Sequence, residues 1–148
     1  MTTLRDQWTT LYAAGRVRWM PGMMDESGTR VLHVKDDGRL ITDDLVDNGA
    51  AWQSYREHDV ITPDTLYAPD FADPATEGCL LHQAREAWGD MTAHIHGCLW
   101  DMNGDVVPPQ WTMIGVTPPV GQSVVGWHLT EPAAILAAIA AAPPKVTE

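Results

Sequence analysis

Arg16, Arg18 and Trp19 fall close together near the N-terminus, and Arg30 follows in the same stretch. Guanidinium groups bind phosphates through paired N–H donors, and an indole stacks on a base. Met20, Met23 and Met24 add an adaptable apolar surface beside them. Together these residue types are the chemistry of a nucleotide pocket. The competing reading, which is preferred, pairs the arginines with the abundant carboxylates and buries Trp19 in the core.

His94, His96 and Cys98 alternate along a predicted strand. Alternate strand residues share a face, so two imidazoles and a thiol would stand in one row. Zinc takes such ligands, and Cys79 with His82 could complete the shell. The spacing matches no standard zinc motif, and a strand face with polar side chains is the preferred reading. His128-Leu129-Thr130 matches one His-x-Thr unit of the two-histidine phosphoesterases. Those enzymes need two units, one histidine as base and one as acid, and no second copy is present. Thr130 as a helix cap beside an ordinary histidine is the plainer account. Cys79 lies near a helix start, where the dipole can lower a thiol pKa, but it reads more simply as a small buried hydrophobe. Asp36-Asp37 and Asp43-Asp44 offer oxygen ligands without a glycine-spaced calcium loop, so solvated turns are preferred. No G-x-S-x-G, P-loop or H-E-x-x-H sequence occurs, and the reading leans away from an enzyme.

The elements that would position these groups alternate between helix and strand. Leu4, Trp8, Leu11 and Tyr12 predict a first helix, capped by Thr3 and stopped by Gly15. Arg16 to Trp19 alternates like a strand, with Arg16 and Arg18 on one face. Thr29 to Lys35 and Arg39 to Thr42 read as a hairpin turning at Asp36-Asp37-Gly38. Asp73 and Pro74 open a second helix that Gly89 closes. Its predicted buried stripe is Leu80, Leu81, Ala84, Ala87 and Trp88, with Arg85 and Glu86 off it. Gly78 inside this helix suggests a close approach. Ala93 to Trp100, Gln110 to Val116 and Ser123 to Leu129 are strand candidates, interrupted by Pro108-Pro109 and Pro118-Pro119. A last helix starts at Thr130 and ends at Pro143-Pro144. Turns of hairpin type favour an antiparallel sheet with about three helices packed on it, an α+β fold. One domain is expected over residues 1–142, with 143–148 a loose tail.

The 148 residues are enough for a core, and the two cysteines suit a reducing compartment. The net charge of -11 is concentrated between residues 36 and 73, which carry ten Asp/Glu against two Lys/Arg. No basic stripe is present, so general nucleic-acid binding is not expected. No apolar run reaches the ~18 residues of a membrane span, and no secretory signal is read at the N-terminus. Seven tryptophans against one phenylalanine suit pockets or interfaces, including interfaces between subunits of a homo-oligomer.

Pro69-Asp70-Phe71-Ala72-Asp73-Pro74-Ala75-Thr76-Glu77-Gly78-Cys79-Leu80-Leu81, followed by Arg85-Glu86-Ala87-Trp88-Gly89, resembles the core of a group of small uncharacterised bacteriophage and prophage proteins. The Trp19-Met20-Pro21-Gly22-Met23 turn and the Thr130-Glu131 start of the alanine-rich final helix match more loosely. The resemblance implies a phage origin and a bacterial cytoplasmic setting. It carries over no functional residues. Small phage proteins often block host enzymes or remove host signalling nucleotides.

Three expectations follow. The first is a phage-type accessory protein, of anti-defence kind, that sequesters a small anionic or nucleotide-like ligand at Arg16, Arg18, Trp19 and Arg30, with no cofactor. The second is a protein–protein inhibitor that docks its acidic stretch on a basic host surface, with Asp43, Asp44 and Asp47 as the charges to reverse. The third is a small phosphoesterase-type or metal-dependent hydrolase built on His94, His96 or His128.

Overall fold

The chain is α+β, with three helices and two small antiparallel sheets among the described residues. The computed structural model describes residues 2–43, 60–61, 63, 66–100, 103, 106–114 and 128–143, with backbone alone at 60–61, 98–100, 106–110 and 113–114. Its contacts divide the chain into two compact units, residues 1–17 with 80–148 and residues 18–79.

The first unit opens with α1 (Leu4–Ala13), which buries Trp8 and Leu11. Thr3 accepts from the Asp6 backbone N–H while the Asp6 carboxylate accepts from the Thr3 N–H. This reciprocal box satisfies two donors that the first turn leaves without helical partners. Hydrogen bonding from the Thr3 side chain and backbone holds the Asp6 carboxyl below its usual pKa. At the other end the Arg16 N–H reaches Leu11 O at 2.9 Å and the Gly15 N–H reaches Tyr12 O at 3.0 Å. That pairing needs a left-handed residue, and Gly15 supplies it with φ +71°.

In the second unit, β1 (Val31–Val34) and β2 (Leu40–Thr42) form the expected hairpin, and β3 (Val60–Ile61) pairs antiparallel with β2. Gly38, at φ +86°, closes the three-residue loop between Lys35 and Arg39. Leu32 is an extra residue between the Val31–Thr42 and His33–Ile41 pairs, so β1 carries a bulge. Pairing continues past β1 through the isolated bridges Met24–Arg30 and Asp25–Pro69. Trp19, Met23, Val31, Leu40 and Ala68 are buried here.

Arg16 to Trp19 differs from expectation. Val17 and Trp19 are buried and Arg18 is exposed, as alternation requires, but these residues belong to no strand. The period-two pattern reports burial of an extended segment, and hydrogen bonding to a neighbour is a separate condition.

α2 (Pro74–Trp88) begins in the second unit and ends in the first. Gly89 closes it at φ +65°, with its N–H on Glu86 O and the Asp90 N–H on Arg85 O. Leu80 and Ala84 are buried as expected, and Gln83 is buried with them. Gly78 is exposed, and a Cβ there would meet nothing described within 4 Å. The expected close approach is absent among the described residues, and nothing in the structure explains this glycine.

β4 (His94–Trp100) pairs antiparallel with β5 (Val106–Ile114), and α3 (Glu131–Ala141) packs on both strands and on α1. β5 runs through Pro108-Pro109 instead of stopping there. The prolines fall where the register shifts between the Cys98–Gln110 and Trp100–Val106 pairs, an irregularity that dispenses with their missing N–H groups. Trp111 pairs with Gly97 and lies on it so closely that a Cβ at Gly97 would stand 2.6 Å from the indole. Any side chain there would have to displace the ring. Trp111 also exchanges both backbone hydrogen bonds with His128, at 2.6 and 2.7 Å. The remainder of the third predicted strand lies outside the described residues. The Trp88 indole N–H donates to Ala138 O at 2.8 Å, tying the end of α2 to α3.

Candidate functional site

Arg16 follows the left-handed turn after α1, and its guanidinium donates to Ala140 O at 3.0 Å and to Ala142 O. These are carbonyls at the C-terminus of α3, where the helix has no internal donors left and where a cation complements the dipole. α3 has no basic residue in its own last turn. Arg16 serves that role from a distant part of the chain. Arg16→Ala is expected to lower stability by about 1–2 kcal/mol, read as a lower urea midpoint, and Arg16→Lys is expected to recover part of it.

Arg30 immediately precedes β1, and its partners are also internal. Its guanidinium meets both oxygens of Asp73, at 3.1 and 3.3 Å, and donates to Gly22 O at 2.6 Å. Asp73 is the cap of α2. One of its oxygens accepts from the Thr76 N–H and the Thr76 hydroxyl, both at 2.9 Å. Thr76 in turn accepts from the Met24 N–H at 3.0 Å. The result joins the 22–30 hairpin to the start of α2 through one buried carboxylate. Its bond with Arg30 holds the Asp73 carboxyl below its usual pKa, and Asp73 raises that of Arg30.

Of the four residues expected to share a pocket, Trp19 is 6% exposed and Arg18 is exposed. Arg16 belongs to one compact unit and Arg18, Trp19 and Arg30 to the other.

Asp25 was not among the expected residues, yet its carboxylate accepts four hydrogen bonds, as many as that of Asp73. It is 2% exposed. Its Oδ1 accepts from the Ser27 N–H at 3.0 Å, the Ser27 hydroxyl at 2.6 Å and the Thr29 N–H at 3.0 Å. Its Oδ2 accepts from the Tyr67 N–H at 3.2 Å. The sequence signal was Asp25-x-Ser27-Gly28-Thr29, a composition suited to an Asx turn. Gly28, at φ +93°, lets the loop close around the carboxylate. The Tyr67 link, by contrast, joins residues far apart in the chain and has no local signature.

His94 and His96 are exposed on β4, and the side chain of Cys98 lies outside the described set. His82 pairs with Glu86 at 2.7 Å one helical turn on, and the Cys79 thiol meets Pro21 O at 3.5 Å. Burial and the nearby Asp73 charge raise the Cys79 pKa, which opposes the activation a helix start could give. No group of three His, Cys, Asp or Glu converges on a metal position among the described residues. Thr130 caps α3 by accepting from the Ala133 N–H at 3.2 Å, as the plain reading of His128-Leu129-Thr130 expects.

Among the acidic residues, Asp36 and Asp37 are exposed in the hairpin loop, and Asp37 binds the Arg39 guanidinium at 2.6 Å. Two hydrogen bonds from Arg39 hold the Asp37 carboxyl below its usual pKa. Asp43 accepts from the Arg30 backbone N–H at 2.8 Å and so closes the β1–β2 pairing. Asp44 and Asp47 lie outside the described residues. No helix among the described residues is long and apolar enough to cross a membrane. Comparison with protein-family models, with curated proteins and with solved structures finds no match.

Proposed function

We propose that the chain is a non-enzymatic accessory protein of phage type, working in the bacterial cytoplasm, that docks the acidic surface of its 18–79 unit on a basic host protein. The single observation that carries this reading is the fate of the cations. The unit has thirteen Asp/Glu against five Lys/Arg. Two of those five, Arg30 and Arg39, already bind carboxylates of the same unit. Glu26 and Asp36 stand exposed. A net negative charge steers association with a positive surface. Sequestration of an anionic ligand at Arg16, Arg18, Trp19 and Arg30 would require Arg16 and Arg30 to leave their present partners. The docking reading is therefore put first.

The test is capture of host proteins on the immobilised chain. A bound partner is expected to elute as salt rises. Reversing Glu26, Asp36, Asp44 and Asp47 to Lys together is expected to weaken binding about tenfold or more. Asp43 is left intact because its carboxylate supports the fold. A partner that ignores both salt and charge reversal sinks the reading.

A further inference from the structure

We infer that the outer edge of β4 takes a second copy of this chain, the two β4 strands running antiparallel about a twofold axis at His96. The hydrogen-bond parity of the sheet carries this. The Trp111 N–H and C=O both go to His128, at 2.6 and 2.7 Å. Neither therefore faces β4, and the Gly97–Trp111 pair is of the non-hydrogen-bonded kind. The bonds between β4 and β5 fall at the neighbouring pairs, His96–Thr112 and Cys98–Gln110. Parity alternates along a strand, so the N–H and C=O of Ile95 and Gly97 point away from β5, to the outer edge. These groups have no partner among the described residues. Gly97 is exposed and Ile95 is half-buried.

An edge with open N–H and C=O groups is a template for another strand, and folded proteins blunt it with charge, proline or a bulge. β1 has its bulge at Leu32, and β5 has His128 on its far edge. β4 has neither proline nor bulge from His94 to Cys98, and no Asp, Glu, Lys or Arg occurs from Met91 to Trp100. In a chain of net charge -11, such a stretch is where a second copy approaches with least repulsion.

The open groups also fix the register. Two antiparallel copies centred on His96 set Ile95 of each against Gly97 of the other, and each pair exchanges two hydrogen bonds. Centring on Ile95 would need Ala93, whose N–H is bound to Asp90 O and whose C=O accepts from Arg85. Centring on Gly97 would need Leu99, where the register shifts. The edge is thus complementary to itself in one register. It lies outside the acidic 18–79 unit, so the pairing is independent of the docking proposed for that unit.

The experiment follows amide hydrogen exchange of the full chain by NMR, residue by residue, alongside sedimentation from about 10 µM to 1 mM. The mass is expected to rise from monomer to dimer, with the Ile95 and Gly97 amides becoming protected in step. His96→Glu sets two carboxylates opposite each other across the axis. It is expected to weaken the dimer about threefold or more, and less at high salt. Ile95→Pro removes an outward donor, a place where an edge strand tolerates proline, and is expected to weaken the dimer about tenfold or more. Circular dichroism establishes that each variant is folded. His96→Glu changes only an exposed side chain, so it keeps the test open where Ile95→Pro does not fold. A monomer throughout, or a dimer whose Ile95 and Gly97 amides exchange as freely as in the monomer, overturns the pairing. So does protection of these amides that arises only when a host protein is added, which would make the edge a site for a host strand.

Discussion

Asp73→Ala is expected to lower stability by about 2–4 kcal/mol, through the lost cap of α2 and the lost charged hydrogen bonds to Arg30. Asp73 is well buried, with its side chain 7% exposed, whereas that of Arg30 is 32% exposed. The guanidinium can therefore take some water in compensation, which sets the estimate below that for a fully buried pair. Asp73→Asn keeps an oxygen for the Thr76 N–H and removes the charge, so a smaller loss is expected.

The pH dependence separates the two variants further. The folded-state pKa of Asp73 is lowered. Its stabilisation is therefore fully present above the unfolded value of about 4 and is lost as pH falls through the folded value. Urea midpoints measured from neutral pH into this acid range are expected to fall less steeply for Asp73→Asn than for the natural chain. The lowered carboxyls of Asp6 and Asp37 are present in both proteins and cancel in the comparison. Parallel pH profiles would show that Asp73 does not carry the Arg30 link.

Asp25→Ala is the second large effect, again about 2–4 kcal/mol, because it strands buried donors of a loop built around one carboxylate. Thr29 is itself buried, so its N–H has little access to replacement water. Asp25→Asn keeps Oδ1 for Ser27 and Thr29 but turns an amide donor toward the Tyr67 N–H. An intermediate loss is expected. Amide hydrogen exchange gives the direct reading, with Thr29 and Tyr67 opening together in Asp25→Ala. Retained protection at Tyr67 would show that the 67–70 segment is held by its other bonds alone.

Local chemistry made much of this fold legible. Thr3, Asp73 with Pro74, and Thr130 with Glu131-Pro132 marked three helix starts, since each cap is satisfied within a few residues. Gly15, Gly38 and Gly89 marked turns that need a left-handed residue, and each has positive φ. What failed to read out depends on distance along the chain. Arg16 was recognisable as a phosphate-binding type, but its hydrogen bonds run to carbonyls more than a hundred residues away. Arg30 was expected to have carboxylate competitors, yet nothing local singled out Asp73 among ten acidic residues of the 36–73 stretch. Pro108-Pro109 looked like a strand break because a bulge that tolerates prolines depends on the partner strand. Asp43 read as one more surface acid, although its carboxylate closes the β1–β2 pairing.

Native mass spectrometry of the chain isolated gently from host cells, set against its denatured mass, tests the central claim most directly. The account predicts the bare chain together with a complex containing a host protein, the complex dissociating as salt is raised. A retained small molecule of a few hundred daltons, lost on Arg18→Ala, would contradict it and return the function to an anionic ligand near Arg18 and Trp19.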